Sequence, residues 1–216
     1  MPFREVNAKM VEATVGPGQT MYSQRGAMLA YRGEVSFTPN VQGGQGGLMS
    51  MIGRRVADEA TPLMTVEGSG TVYFGHGGHH VHVVRLTGET LYVEADRLLA
   101  FDGTLRQGTM FMGSQGGVMG MVRGQVTGQG LFTTTLQGQG SVAVMAHGGV
   151  FELQVTPQRP VHVDPQAYVA HRGDLRNKLS TALGWRDMVG RGSGEAFQLE
   201  LSGSGTVYVQ ASEEKL

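Results

Sequence analysis

Apolar and polar side chains alternate along several short runs of this chain. Val81 and Val83 fall on one side of an extended segment, with His80 and His82 on the other. Phe197, Leu199 and Leu201 alternate with Gln198 and Glu200, and Val207 and Val209 alternate with Tyr208 and Gln210. A period of two marks strands with one buried face, and it assigns Tyr208 and Gln210 to the polar side. Glycine turns separate the runs. Thr87-Gly88-Glu89 predicts a turn into Leu91-Tyr92-Val93. Asp102-Gly103, between Leu98-Leu99-Ala100-Phe101 and Thr104-Leu105, predicts a hairpin, because both residues tolerate positive φ.

The phrase that begins at Leu91 is written three times. Met21, Leu91 and Val161 stand 70 residues apart, and each opens a segment that ends on an aromatic or histidine, a basic or acidic residue and a glycine: Tyr31-Arg32-Gly33, Phe101-Asp102-Gly103, His171-Arg172-Gly173. A Gly-x-Gly phrase follows each copy, at Gly68-Ser69-Gly70, Gly138-Gln139-Gly140 and Gly203-Ser204-Gly205. Two phrases in fixed order, three times over, make an internal repeat. The expected architecture is all-β, with roughly six short strands per repeat. The repeats cover about 8–75, 78–146 and 150–210 of one compact domain in a pseudo-threefold arrangement. The connectors differ. Those after the first two copies are glycine- and methionine-rich, whereas Lys178 to Trp185 predicts a helical turn with Leu179 and Leu183 at i, i+4.

Composition narrows the function classes. Thirty-five glycines exceed the usual share, yet 40% apolar residues exclude a disordered chain. Seventeen basic against eighteen acidic side chains leave no electrostatic footprint for nucleic acid. With no cysteine there is no disulfide, thiol catalysis or thiolate metal site. The chain shows no signal-peptide or membrane-span pattern, so a cytoplasmic location is expected.

The phrases Gly88-Glu89-Thr90-Leu91-Tyr92-Val93, Gly128-Gln129-Gly130-Leu131-Phe132 and Gly192-Ser193-Gly194-Glu195-Ala196-Phe197-Gln198-Leu199 carry a resemblance, together with Gly203-Ser204-Gly205-Thr206-Val207-Tyr208-Val209-Gln210. Over about Val11 to Gln210 the chain resembles the "altered inheritance of mitochondria" family. That resemblance implies three tandem units similar to the subunit of the tryptophan RNA-binding attenuation protein (TRAP), packed as a pseudo-trimer of β-sandwich or double-stranded β-helix character. Mitochondrial relatives are linked to inner-membrane organisation, a role not carried over here, and neither tryptophan nor RNA binding is carried over.

Candidate chemistry is sparse. His76, His79, His80 and His82 form the densest cluster of metal-ligand types, with His80 and His82 on one strand face. The recurrence of His-Gly-Gly at His147-Gly148-Gly149 without partner histidines points instead to turn geometry. Glu94 and Asp96 would share a face, but their counterparts Gln24 with Gly26 and Asp164 with Gln166 fit a solvated sheet surface rather than acid-base catalysis. The glycine loops at Gly43–Gly47 and Gly113–Gly117 lack a phosphate lysine. The sharper candidate is an apolar connector surface of Met49, Met51, Ile52, Met119, Met121, Val122, Leu183 and Trp185, ringed by arginines. The expectation is a non-enzymatic scaffold or binding protein using that surface on a protein partner or membrane. It has no catalytic residue and no cofactor, and it could form a homo-oligomer. The alternative is metal or small-molecule binding at His76–His82.

Overall fold

The computed structural model describes residues 3–40, 63–111, 132–181 and 197–213. They form thirteen strands joined in a single antiparallel sheet system. In chain order these are β1 (Phe3–Asn7), β2 (Met10–Val15), β3 (Thr20–Gln24), β4 (Met28–Pro39), β5 (Leu63–Phe74), β6 (His80–Glu94), β7 (Leu98–Asp102), β8 (Arg106–Phe111), β9 (Phe132–Ala146), β10 (Val150–Val155), β11 (Val161–Val163), β12 (Tyr168–Thr181) and β13 (Phe197–Gln210). The all-β expectation holds: among the described residues the one helical element is the 3₁₀ turn Ala95–Arg97. The predicted helical turn fails as far as it is described. Lys178 to Thr181 continue β12, and their ladder with Glu200 to Phe197 overrides a weak local propensity.

The strands are fewer and longer than the glycine punctuation suggests. Thr87-Gly88-Glu89 is no turn. β6 runs through it, with a register shift between Thr87 and Thr90, and the Glu89 carboxylate accepts hydrogen bonds from the Thr87 N–H (2.9 Å) and hydroxyl (3.0 Å). Satisfying those groups locally lets a bulge replace a reversal. Nor does Asp102-Gly103 close a hairpin: β7 and β8 both pair with β9 in the same direction, while β4 and β12 pass straight through Gly33 and Gly173.

The Gly-x-Gly phrases also lie inside continuous strands. The first glycine takes a positive φ of 125°, 130° or 124° at Gly68, Gly138 and Gly203. At the second, opposing backbone stands too near for any side chain in the outer copies. A Cβ on Gly70 would meet the Arg32 carbonyl oxygen at 2.1 Å, and one on Gly205 would meet that of Arg172 at 2.2 Å. The phrase recurs because two long strands cross closely there.

One pairing scheme appears three times. β5 pairs with β2, β3 and β4; β9 with β6, β7 and β8; β13 with β10, β11 and β12. Two further ladders link these groups in series. β3 joins β7 through Tyr22 opposite Phe101, and β6 joins β12 through Tyr92 opposite His171. Among the described strands, no ladder joins the third group back to the first.

Three apolar clusters follow the same order. The first, around Val11, Val66, Val72 and Phe74, also takes in Leu99, Ala100, Ala143 and Met145 from the second group. The second, around Leu91, Leu136 and Val142, takes in Val169, Ala170 and Tyr208 from the third. The third, around Val163, Leu199, Leu201 and Val207, draws on the third group alone. β7 and the later parts of β9 and β13, Ser141 to Ala146 and Thr206 to Gln210, are therefore buried on both faces. This corrects the assignment of Tyr208 and Gln210 to a polar side: both are buried, Tyr208 against the second cluster.

Candidate binding surface

The junctions between groups are built from a continuous apolar run, the pattern of a strand covered on both sides. Leu98, Leu99, Ala100 and Phe101 are all buried, as are Tyr168, Val169, Ala170 and His171. Ring contacts lock each junction. Tyr22 and Phe101 lie 5.1 Å apart between centroids, and Tyr92 stacks on His171 at 4.5 Å and 7°. The Tyr168 hydroxyl lies 3.1 Å from the Tyr92 carbonyl oxygen and 2.7 Å from His171 Nδ1. Having one proton, it donates to the carbonyl when the imidazole N–H donates to it. Burial drives the His171 pKa down to about 4, and burial, then the Glu94 charge, pushes that of Tyr168 upward.

A polar tie reinforces the second junction. The Arg97 guanidinium, 1% exposed, donates to Glu94 Oε2 at 3.2 Å, to the Gln210 side-chain oxygen and to the Gln166 carbonyl at 3.1 Å. Its counterparts seventy residues either way are the buried alanines Ala27 and Ala167. The predicted pairing of Glu94 with Asp96 on a solvated face is therefore corrected. Glu94 is buried and neutralised by Arg97, and the 3₁₀ turn leaves Asp96 exposed.

The first group carries the same run uncovered. Met28, Leu29 and Tyr31 are 40%, 55% and 48% exposed, and Ala30 is exposed with them. They open β4, whose one ladder among the described strands is with β5. Tyr31 leans on Phe37 of its own strand at 5.6 Å. Four contiguous apolar positions on an unpaired strand edge form a surface that solvated proteins ordinarily cover. Pattern reading missed it, because the run reads as buried in all three copies. Val6 and Phe151 are the other large exposed apolar side chains among the described residues, on β1 and β10.

The histidines predicted as a cluster engage separate neighbours. His76 Nδ1 lies 3.4 Å from the Gly26 carbonyl oxygen, and the His79 ring packs edge-on against His147 at 4.5 Å. Burial, then the neighbouring His147, lowers the His79 pKa. His82 lies 3.8 Å from a Glu5 oxygen and 3.7 Å from a Glu152 oxygen, while His80 opens β6. Among the described residues no three His, Asp or Glu side chains stand together as a metal site would need. The His-Gly-Gly turns have the geometry the sequence suggested, with positive φ at Gly77, Gly78, Gly148 and Gly149. Glu5 and Glu152 also line an open cleft of about 430 Å³ with Arg4, Arg85, Arg172 and Tyr208. Two of its arginines are already paired, Arg4 with Glu12 at 2.9 Å and Arg172 with Glu89 at 3.2 Å. Met49, Met51, Ile52, Met119, Met121, Val122, Leu183 and Trp185, and the glycine loops near them, lie outside the described residues.

The family model described as "Mitochondrial biogenesis AIM24" matches residues 3–212. The chain belongs to the AIM24 family. No curated protein matches it. Among solved structures it is similar to protein SPYM3_0169 from Streptococcus pyogenes, with 20% identity and a TM-score of 0.72 over 97% of this chain and 92% of that one. At that identity the likeness concerns the fold. The resemblance read from the Gly-x-Gly phrases thus holds at the family level, and the AIM24 description itself points to mitochondrial biogenesis. No helix among the described residues is long and apolar enough to cross a membrane.

Proposed function

We propose that this AIM24 protein is a non-enzymatic, cytoplasmic scaffold that works by binding macromolecules through its surface, with three TRAP-like units as its body. The observation that carries this reading is the uncovered strip Met28 to Tyr31, whose counterparts are fully buried. An unpaired edge with apolar side chains on a long strand is the template for strand addition by a partner. The buried ionisable groups Arg97, Glu94, Tyr168 and His171 serve the junctions between groups.

The connector surface enters the same proposal from the sequence. Each connector joins the ends of a paired hairpin, after Pro39 opposite Met64, Phe111 opposite Phe132 and Thr181 opposite Phe197. Met49, Met51, Met119 and Met121 therefore belong to corresponding places in the chain.

Site-specific photo-crosslinking in intact cells tests the reading. A crosslinker at Leu29 should trap a covalent adduct, and one at the exposed Arg176 should trap far less. Absence of any adduct from position 29 overturns the edge as the working surface. The alternative, small-molecule binding, is favoured only by the cleft beside His82; a ligand lost on His82→Ala would establish it.

A further inference from the structure

The scaffold reading leaves the cleft of about 430 Å³ beside His82 unused. Residues of all three groups meet in it. Glu5 comes from β1, which extends the first group through β2; Arg85 comes from the second group, and Glu152, Arg172 and Tyr208 from the third. We propose that this cleft binds a short extended peptide with a free carboxylate at one end and an ammonium group at the other.

The edge of β6 offers the peptide its backbone contacts. Seventy residues earlier, Glu12 and Ala13 of β2 lie opposite Arg4 and Phe3 of β1. Their counterparts His82 and Val83 have β9 on one edge of β6 and no described strand laddered to the other, where β12 joins from Leu91 to Val93. Side chains stand in for the strand. The Glu5 carboxylate accepts from the Val83 N–H at 2.9 Å, and Arg172 donates to the Arg85 carbonyl at 3.2 Å. A peptide can take up such an edge without breaking a ladder.

Tyr208 marks the carboxylate end. In the first group, Arg4 and Tyr73 both hydrogen-bond the Glu12 carboxylate. Tyr208 holds the corresponding place opposite Glu152, as Tyr73 does opposite Glu12. Glu152, however, is turned to His82, 3.7 Å away. Tyr208 is 1% exposed, and its hydroxyl has no hydrogen-bond partner among the described residues. Burial pushes its pKa up to about 12, so the hydroxyl remains a donor at neutral pH. Arg172 lies 5.9 Å over the Tyr208 ring, and Arg85 is exposed and in no ion pair among the described residues. These donors offer an incoming carboxylate what Arg4 and Tyr73 give Glu12.

The ammonium end follows from charge and distance. The carboxylates of Glu5 and Glu152 flank His82 at 3.8 and 3.7 Å, both partly open to solvent. Arg85 stands three residues further along β6, about 10 Å in a strand. An extended tripeptide spans that distance; an amino acid, with both charges on one carbon, does not.

The test is isothermal titration calorimetry on the purified full chain with trialanine, N-acetyl-trialanine, trialanine amide and alanine. Trialanine should bind, and the acetylated, amidated and single-residue probes should each bind more weakly by roughly tenfold or more. Tyr208→Phe and Arg85→Gln should weaken trialanine by a similar factor. Both should keep the melting temperature, since the first removes no hydrogen bond and the second alters an exposed side chain. Failure of trialanine to bind at millimolar concentration overturns the proposal, as does binding indifferent to both substitutions. Acetyl-trialanine or alanine binding as tightly as trialanine overturns it too, by removing the ammonium or the length from recognition. The cleft shares no residue with the Met28–Tyr31 strip, so the Leu29 crosslink tests the scaffold reading independently.

Discussion

Leu98-Leu99-Ala100-Phe101 and Met28-Leu29-Ala30-Tyr31 are one phrase in two settings. The first is sealed between the first and second clusters, with β3 and β9 on its two edges; the second lies open on a strand paired along one edge. Local sequence cannot account for the contrast, because the apolar run is alike in both. What differs is whether another group arrives to cover it. Burial of a two-sided strand is thus a property of the series of groups, and the first member of a series has no predecessor.

Four measurements sharpen or break this contrast. Leu99→Ala should cost about 2–5 kcal/mol in chemical denaturation, as a fully buried leucine does. Leu29→Ala, at concentrations where the chain is monomeric, should stay within about 0.5 kcal/mol. Equal costs would mean that the strip is covered in the isolated molecule.

Arg97→Ala should cost about 3–5 kcal/mol by removing the guanidinium that pairs with the buried Glu94 carboxylate. Adding Glu94→Gln, which restores the Gln and Ala found at Gln24 and Ala27, should recover more than half of that loss. No recovery would show that Arg97 matters through its bonds to Gln210 and Gln166 rather than through charge.

The second junction should also be acid-sensitive. With a folded-state pKa of about 4 against an ordinary 6.5, His171 stays neutral in the folded chain while the unfolded chain takes up a proton. Stability therefore falls as pH drops from about 6.5 towards about 4, by about 3 kcal/mol from this residue. His171→Phe, which copies Phe101, should flatten that part of the pH profile; an unchanged slope would assign it to other groups. The smallest effect should be that of Gly88→Ala. Its φ of +130° is strained for alanine, but no atom lies within 4 Å of the added Cβ, so the loss should be about 1 kcal/mol. At Gly205, where the Arg172 carbonyl would be struck, the loss should be clearly larger.

The repeated phrases and the all-β class were legible because glycine spacing and period-two alternation are local signals. Val207 and Val209 showed one buried face of β13. Tyr208 and Gln210 were misplaced because a period of two cannot reveal a second layer on the other side. Asp102-Gly103 looked like a reversal because residues that permit a turn also permit a kink beside a third strand, and only the β9 ladder distinguishes the two. Arg97 gave no signal: a lone arginine between two alanine counterparts reads as a surface residue until Gln210 arrives across 113 positions. The exposed strip was hidden for the opposite reason, since its sequence says buried.

The most direct test is hydrogen exchange of the backbone amides from Leu98 to Asp102 against those from Met28 to Arg32, at a concentration where the chain is monomeric. If neighbouring groups seal the first of these segments and leave the second open, exchange from Leu98 to Asp102 is slower by roughly a hundredfold or more. Equal protection of the two segments would contradict it.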